Sequence, residues 1–276
     1  MKKLLKKYYN YNNKSNIYGR INLSKVQSKE FSLRKKVAKE SFSKDYLKTI
    51  SQHHSIQVMD KEVDNLLLML PKNSIICDIG GSWGWHWRKI AKSRPDVKVI
   101  IIDFIYENLL IAKKILKNLI NKQVFLINDD CCKIKFKNNI FDAVWTVQTL
   151  QHVKNYKLIV NIIYKILKKD GYFFNYNLNI NNTIKLIYKI FKKNYLIKGY
   201  NNSFYLERSN QKQKNIIKKK FKKNIDTRYT ELLFHPDLKI FTGSENNFIG
   251  KIDSYLSGDF FFKKVIARQE CFLVKK

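Results

Sequence analysis

Short apolar runs alternate with amphipathic stretches through the middle of this chain. The apolar runs predict buried strands, and apolar residues that recur every three or four positions predict the helices between them. Because strands and helices alternate, the pattern favours an α/β fold with a doubly wound, mostly parallel sheet. The predicted strands are 74–79, 97–102, 123–127, 141–147 and 171–177, and the predicted helices are 84–92, 106–120 and 157–168.

The segments on either side of this core have a different composition. The first 42 residues are polar and rich in Lys and Asn, which predicts a tail that is mobile or loosely docked. Two helical patterns follow and end at Pro71, and an aromatic-rich insert, 180–209, comes after the fifth strand. A helix is predicted from about Asn210, and two late strands, 224–232 and 262–274, would form an antiparallel pair at one edge. The predicted divisions are a tail (1–42), N-terminal helices that act as a lid (43–70), the core (71–178), an insert and helix over the acceptor pocket (179–223) and terminal strands that complete the sheet (224–276).

The net charge of +32 is high for a chain of 276 residues. Such a charge commonly marks a surface that binds nucleic acid or an anionic membrane. Here only seven of the 54 basic residues are arginine, and Asn, Ile, Tyr and Phe are also abundant, a bias that suits an AT-rich coding sequence. Since proteins that read bases favour bidentate arginine, most of the charge is interpreted as solvated surface. The Lys-rich helix 210–223 keeps an RNA-binding alternative open.

The cysteines and the apolar runs set further limits. The four cysteines have no C-x-x-C or Cys/His spacing, so neither a zinc site nor a disulfide framework is predicted, and no metal is expected. No apolar stretch approaches the ~20 residues that a spanning helix needs, and the N-terminus lacks a signal-peptide pattern. We therefore expect a soluble, cytoplasmic protein in a reduced compartment, with peripheral contact to an anionic membrane left open.

The run SIICDIGGSWGWHW, residues 74–87, carries the strongest chemical signal. A predicted strand ends at Asp78, and the chain then turns through Gly80 and Gly84 into a predicted helix. Glycine lets the backbone approach a ligand closely, and the first N–H groups of a helix attract electron-rich groups. The next strand ends in Asp103, where a carboxylate can accept hydrogen bonds from ribose hydroxyls.

The glycine turn does not fit the dinucleotide pattern. The sequence G-x-G-x-x-G, read from Gly80, would need glycine where the chain has Ser82 and Trp85, so the two signals indicate an adenosine ligand other than NAD. DIGGSWG instead resembles the D-x-G-x-G-x-G turn of class I S-adenosylmethionine (SAM) dependent methyltransferases. FLINDDCCKIKFKNNIFDAVWTVQTLQHV (125–153) and YKILKKDGYFF (164–174) resemble later motifs of that family. The chain looks most like the methyltransferase type 11 group.

This resemblance implies a Rossmann-like class I fold with an antiparallel final strand, N-terminal helices and an insert after the fifth strand. It also implies SAM as the cofactor. In the family, the glycine turn meets the amino-acid end of SAM, the acid after the second strand holds the ribose, and the acid after the third reads the adenine. Carried over to this chain, the cofactor residues are Asp78, Gly80, Ser82 and Gly84 for the amino-acid end, Asp103 for the ribose, Phe104 for packing against the ring, and Asp130 with the Cys131 N–H for the adenine. A helix or turn cap is the structural alternative for the last two aspartates.

The methyl acceptor is much less determined by the sequence. There is no (D/N)-P-P-(Y/F) motif and no Pro-Cys pair, and both absences count against methylation of a nucleobase. Histidines could supply a base, although each more often has a structural or capping role. The candidates for acceptor binding or catalysis are Gln148 after the fourth strand, His152, His53 beside His54 on the predicted lid, His235, and Tyr205 and Arg208 in the insert.

The sequence therefore predicts SAM-dependent methyl transfer to O or N of a small molecule or of a glycan or lipid precursor. Two alternatives stay open. One is an RNA methyltransferase that uses the Lys-rich face, and the other is a non-catalytic binding module with the same fold.

Overall fold

The computed structural model describes residues 1–19, 31–32, 35, 46–180, 182–193, 210–238 and 248–276. Two predicted acceptor residues, Tyr205 and Arg208, and most of the predicted insert lie outside the described residues.

The core is a mostly parallel sheet whose parallel strands end at one edge. The strands are β1 (Tyr11–Asn12), β2 (Ile17–Tyr18), β3 (Ile75–Ile79), β4 (Lys98–Asp103), β5 (Val124–Asn128), β6 (Phe141–Val147), β7 (Leu167–Leu178), β8 (Asp226–Thr230) and β9 (Gln269–Lys275). Their order across the sheet is β1-β2-β5-β4-β3-β6-β7-β9-β8. The pairs β5·β4, β4·β3, β3·β6 and β6·β7 are parallel. The reversal of strand order at β3 places a crevice at its carboxyl end, which is where such sheets bind ligands.

The last two strands close the sheet in the antiparallel sense. Strand β9 pairs antiparallel with β7, and β8 pairs antiparallel with β9. The prediction of a long final strand from residue 262 is wrong in its first part, because Phe261–Val265 forms a 3-10 helix and the strand begins at Gln269. The predicted antiparallel final strand is confirmed.

Helices cover both faces of the sheet. They are α1 (Lys2–Tyr8), α2 (Tyr46–Ser51), α3 (Ile56–Met69), α4 (Ile90–Ser93), α5 (Tyr106–Leu116), α6 (Tyr156–Ile166), α7 (Asn182–Ile190), α8 (Asn210–Phe221) and α9 (Phe248–Leu256). Apolar residues of α3 and α5 pack on one face, and those of α1, α6 and α8 pack on the other. This is the doubly wound arrangement that the alternating pattern predicts.

The segment after the glycine turn departs from prediction. A continuous helix over 84–92 was expected, but Trp85–Trp87 forms a single 3-10 turn and α4 has only four residues. Trp85, His86 and Trp87 are all buried. Three consecutive side chains of an α-helix point about 100° apart, so a regular helix could not bury all three against one core.

The N-terminal segment also differs from prediction. The expectation of a mobile or loosely docked tail is wrong for residues 1–19, which form α1 and the β1–β2 hairpin. Strand β2 extends the sheet beside β5, and Leu5, Ile17 and Tyr18 are almost completely buried. The few apolar residues of this Lys-rich segment fall where they can bury together, and the hairpin covers what would otherwise be an exposed sheet edge. Among the described residues, no helix is both long and apolar enough to cross a membrane.

Candidate active site

The glycine turn, residues 80–84, leaves β3 in a left-handed conformation. The φ angles are 73° at Gly80, 48° at Ser82 and 64° at Gly84. A Cβ added to Gly80 would lie 2.2 Å from Thr149 Oγ1, and one added to Gly84 would lie 2.7 Å from Ile101 Cδ1. Glycine was expected because a ligand must approach the backbone. The immediate reason in the structure is that the protein's own side chains fill the space beside both α-carbons.

Asp78 supports this turn from below. Its side chain is buried, and its Oδ2 accepts a hydrogen bond of 2.7 Å from Trp87 Nε1. The same oxygen would lie 2.2 Å from a Cβ on Gly81, so the turn passes directly over the carboxyl group. Burial raises the pKa of Asp78 to about 7, and the charge of Asp103 acts in the same direction. Asp78 is thus a positioning residue of the turn.

Asp103 links the turn to the next strand and helix. Its Oδ2 accepts from Ser82 N at 2.9 Å, and its Oδ1 accepts from Ile105 N at 2.7 Å, just before α5 begins. Asp103 therefore fixes the turn against the ends of β4 and α5, at the position where the sequence predicts the acid that holds the ribose.

The end of β5 brings the second predicted acid to the same edge. Asp129 N donates to Asp103 O at 3.2 Å, which joins the ends of β4 and β5. Asp130 caps a 3-10 turn, Cys131–Lys133, because its Oδ1 accepts from Cys132 N at 2.9 Å. The turn cap that was the structural alternative for Asp130 is therefore present, and its Oδ1 makes the capping hydrogen bond. Phe104, next to Asp103, is half-buried.

The two neighbouring thiols belong to this corner as well. Asp130, Cys131 and Cys132 offer ligand atoms within 4.8 Å of one another, a grouping that spacing alone did not suggest. A hydrogen bond with Cys132 is the main cause that raises the pKa of Cys131 well above its ordinary value, and burial is the second cause. Cys131 is therefore a protonated thiol.

Gln148 lies at the end of β6 in a strained conformation. Its φ is 49°, its N–H donates to Tyr176 O at 2.7 Å, and its Nε2 is buried with no hydrogen-bond partner among the described residues. Positive φ outside glycine costs energy and is frequent at functional sites. The next residue, Thr149, contacts Gly80, so Gln148 is directly beside a residue that touches the glycine turn.

A buried ion pair that the sequence analysis missed lies at the same edge, after β8. Glu231 has a φ of 55° and is fully buried; its Oε1 accepts from Ser55 N at 2.9 Å and its Oε2 accepts from Arg268 Nη1. His54 Nδ1 lies 3.8 Å from Glu231 Oε1, and the imidazole is 17% exposed. Burial raises the pKa of Glu231 to about 7, whereas burial and the charge of Arg268 lower the pKa of His54 well below its ordinary value. His54 is therefore a neutral imidazole at physiological pH.

Aromatic rings connect His54 to the glycine turn. The His54 and Trp85 ring centroids are 6.1 Å apart, and His86 stacks on Trp85 at 4.1 Å. Both ring nitrogens of His86 are buried without a hydrogen-bond partner among the described residues, and burial lowers its pKa to about 3. The sequence shows the Trp-His-Trp triplet, but nothing in it signals that the histidine is buried.

The predicted histidines have different surroundings. His235 joins α7 to the chain after β8, because its Nδ1 lies 3.1 Å from Tyr188 Oη and its Nε2 lies 3.1 Å from the carbonyl oxygens of Leu232 and Ile266. His152 Nε2 lies 3.3 Å from Gln151 Nε2 in a 3-10 turn, and His53 is exposed. The structure brings His54, and not its predicted neighbour His53, to the buried carboxylate.

Comparison with known proteins agrees with this geometry. Residues 77–175 match the family described as methyltransferase domain. No curated protein matches the sequence at a significant level. Among solved structures, a SAM-dependent methyltransferase of Thermotoga maritima, named as a possible histamine N-methyltransferase, is 15% identical with a TM-score of 0.58, covering 89% of this chain and 99% of its own. A Haloferax volcanii protein solved with the Trm112 methyltransferase activator is 12% identical with a TM-score of 0.54, covering 90% and 95%.

The chain thus carries a class I methyltransferase domain, and the residues matched by the family run from β3 into β7. Both the matched domain and the shared fold are those of SAM-dependent methyltransferases, and the cofactor of such a domain is SAM. Identities of 12–15% show a shared fold alone, so the substrates of these two proteins say nothing about the acceptor of this one.

Proposed function

We propose that the chain methylates an N or O atom of a small molecule, or of a glycan or lipid precursor, that enters beside Gln148 and His54. The observation that carries this proposal is the composition of the edge formed by β6, β7 and β8. There a strained amide and a neutral imidazole held against a buried carboxylate lie next to the glycine turn. Isolated polar groups of this kind suit a compact acceptor with few polar contacts.

The two halves of the edge have separate tasks in this proposal. SAM supplies an electrophilic methyl group on a sulfonium centre, so the protein mainly needs to orient the reactants. In this proposal the glycine turn would hold the amino-acid end of SAM, Asp103 would accept from the ribose hydroxyls, and Asp130 with the Cys131 N–H would receive the adenine. Asp78 keeps the turn in shape from beneath.

His54 is the candidate general base. A neutral acceptor N–H or O–H must lose a proton when its heavy atom gains the methyl group, and an unprotonated imidazole can accept that proton and become an imidazolium. Glu231 lies on the Nδ1 side of His54, which leaves Nε2 for the acceptor. Glu231 also accepts from Ser55 N, so the segment that carries His54 is fixed to the end of β8.

The position of the lysines favours a small acceptor over RNA. Helix α8 begins at the site edge, where Asn210 Nδ2 donates to Glu270 at 2.7 Å. It ends at the opposite edge, where the Phe221 ring packs on Tyr164 and Phe173. The exposed lysines that crowd its last turn and the residues just beyond are Lys218, Lys219, Lys222 and Lys223. A phosphate backbone bound there would lie far from the glycine turn.

A labelling experiment tests the proposal. The full chain is incubated with methyl-labelled SAM and either a pool of polar small molecules and lipid extracts or total RNA. Label is expected in the small-molecule or lipid fraction. Label confined to RNA would contradict the proposal.

Once an acceptor is known, His54→Gln tests the base. Turnover should fall by about 10²–10⁴-fold, the usual contribution of general acid–base catalysis, with the Kd for SAM unchanged. His53→Gln changes an exposed neighbour of the same type and serves as the matched control. Equal turnover in the two variants would remove His54 from the chemistry.

A further inference from the structure

Three segments of the described chain expose many large apolar side chains. Tyr255 is 81% exposed, Phe248 is 74% exposed and Phe262 is 71% exposed. Scattered exposed apolar residues are normal, whereas a contiguous group marks an interaction surface. The exposed members lie on α7 and its end (Leu186, Ile190, Phe191), on α9 (Phe248, Ile252, Tyr255, Leu256) and on residues 260–266 (Phe260, Phe262, Val265, Ile266).

These three segments are joined through residues 232–235. Tyr188 of α7 meets His235, whose Nε2 lies 3.1 Å from Ile266 O at the end of the 260–266 segment. The Asp253 carboxylate of α9 accepts from Leu232 N at 2.8 Å and from Phe234 N at 3.2 Å. We call the joined surface of α7, α9 and residues 260–266 the apolar face.

The charge of the apolar face is almost entirely positive. The described residues of 182–193 and 248–266 include seven lysines: Lys185, Lys189, Lys192, Lys193, Lys251, Lys263 and Lys264. Their acids are Asp253, which is buried, and Asp259, which is exposed. Exposed aromatic and aliphatic side chains with lysines between them are typical of elements that lie in a membrane interface.

We propose that the apolar face binds the surface of an anionic phospholipid membrane. The rings of Phe248, Tyr255 and Phe262 enter the headgroup region, and the lysines contact lipid phosphates. A second copy of the chain is disfavoured as the occupant, because a symmetric contact would bring seven lysines against seven others. The face lies beside the Glu231–Arg268 pair, since residues 232–235 follow Glu231 and Ile266 comes two residues before Arg268. If the proposed function is correct, an acceptor dissolved in that membrane would reach the site directly.

Vesicle sedimentation of the full chain tests the membrane proposal without any assay of methylation. The chain is spun with vesicles of phosphatidylcholine alone and with vesicles containing roughly one-third phosphatidylglycerol. Binding is expected on the anionic vesicles and should weaken with salt. Equal binding to the two kinds of vesicle, or binding to neither, would overturn the proposal.

Two variants with matched controls locate the contact. Phe260→Ser combined with Phe262→Ser should reduce the vesicle-bound partition coefficient at least about 10-fold, whereas Leu68→Ser, at an 84% exposed position on α3, should not. Lys189→Glu with Lys192→Glu should weaken binding, and Lys218→Glu with Lys219→Glu on α8 should have a smaller effect. Equal effects within either pair would mean that the contact is not this face. Sedimentation velocity without vesicles tests whether a second copy of the chain occupies the face. A dimer that dissociates when Phe260 and Phe262 are changed would overturn the proposal in favour of self-association.

Discussion

Asp78→Asn should change how the stability of the protein depends on pH. The carboxyl group of Asp78 is buried, and burial raises its pKa from an ordinary value of 3.8 to about 7. A raised pKa in the folded state means that the protonated acid is the stable form there. Its contribution to stability is therefore complete below the unfolded pKa and is lost as the pH rises through the folded pKa.

The size of this effect follows from the pKa difference. A shift of about three units, at about 1.36 kcal/mol each, corresponds to on the order of 4 kcal/mol lost between about pH 4 and pH 7. Asn cannot ionise, but its side-chain oxygen can still accept from Trp87 Nε1, so the variant removes the titration and keeps the hydrogen bond. Glu231 and Asp253 also have buried carboxyls with raised pKa values. Both residues are present in the parent and in the variant, so their contributions to the pH dependence cancel in the comparison.

Urea unfolding of both proteins at several pH values between 5 and 8 provides the measurement. The free energy of unfolding of the parent should fall with pH relative to that of Asp78→Asn. Asp96→Asn is the control, because a hydrogen bond from Arg94 lowers the pKa of that partly exposed carboxyl, which does not titrate in this range. Parallel curves for the parent and Asp78→Asn would refute the reasoning that Asp78 is a buried, protonated acid.

Two further changes test the packing described above. Gly84→Ala places a Cβ 2.7 Å from Ile101 Cδ1 at a φ of 64°, so it should lower the free energy of unfolding by about 2–4 kcal/mol in a denaturant titration, and a loss below about 1 kcal/mol would show that the turn can relax. Leu5→Ala should lower the free energy of unfolding by about 2–5 kcal/mol, because Leu5 is completely buried. Leu4→Ala changes a more exposed neighbour and should lower it less. Equally small losses in the two variants would mean that residues 1–19 are only loosely docked.

The parts of the site that follow locally from the chain were predictable. The strand, the glycine turn and the acid after the next strand occur within about thirty residues, and the spacing of a β-α-β unit fixes their positions relative to one another. Asp103 therefore lies where the sequence placed it, at the end of β4 beside the turn. The pattern did not show why glycine is required at positions 80 and 84, because that depends on the side chains of Thr149 and Ile101, which fill the space beside them.

The parts that depend on distant residues were not predictable. Ser55 and Glu231 are 176 positions apart, and neither the exposed His53 nor the mostly buried His54 carries a local signal that separates them. The 3-10 turn at Trp85–Trp87 arose because burial of three adjacent side chains outweighed helical periodicity. The N-terminal segment was predicted to be loose because lysines dominate its composition, although only a few apolar residues were needed to anchor it.

The most direct test of the account is calorimetry of SAM binding to the parent and to Asp103→Ala. If Asp103 accepts from the ribose, the parent binds SAM and the variant loses about 1.5–3 kcal/mol per acceptor pairing, or roughly 10- to 150-fold in Kd. Asp96→Ala removes a partly exposed carboxylate just before β4, at the opposite end of that strand from Asp103, and should bind SAM as the parent does. Thermal unfolding checks that both variants are folded. An Asp103→Ala protein that is folded and binds SAM with the parent's affinity would contradict the assignment of the site.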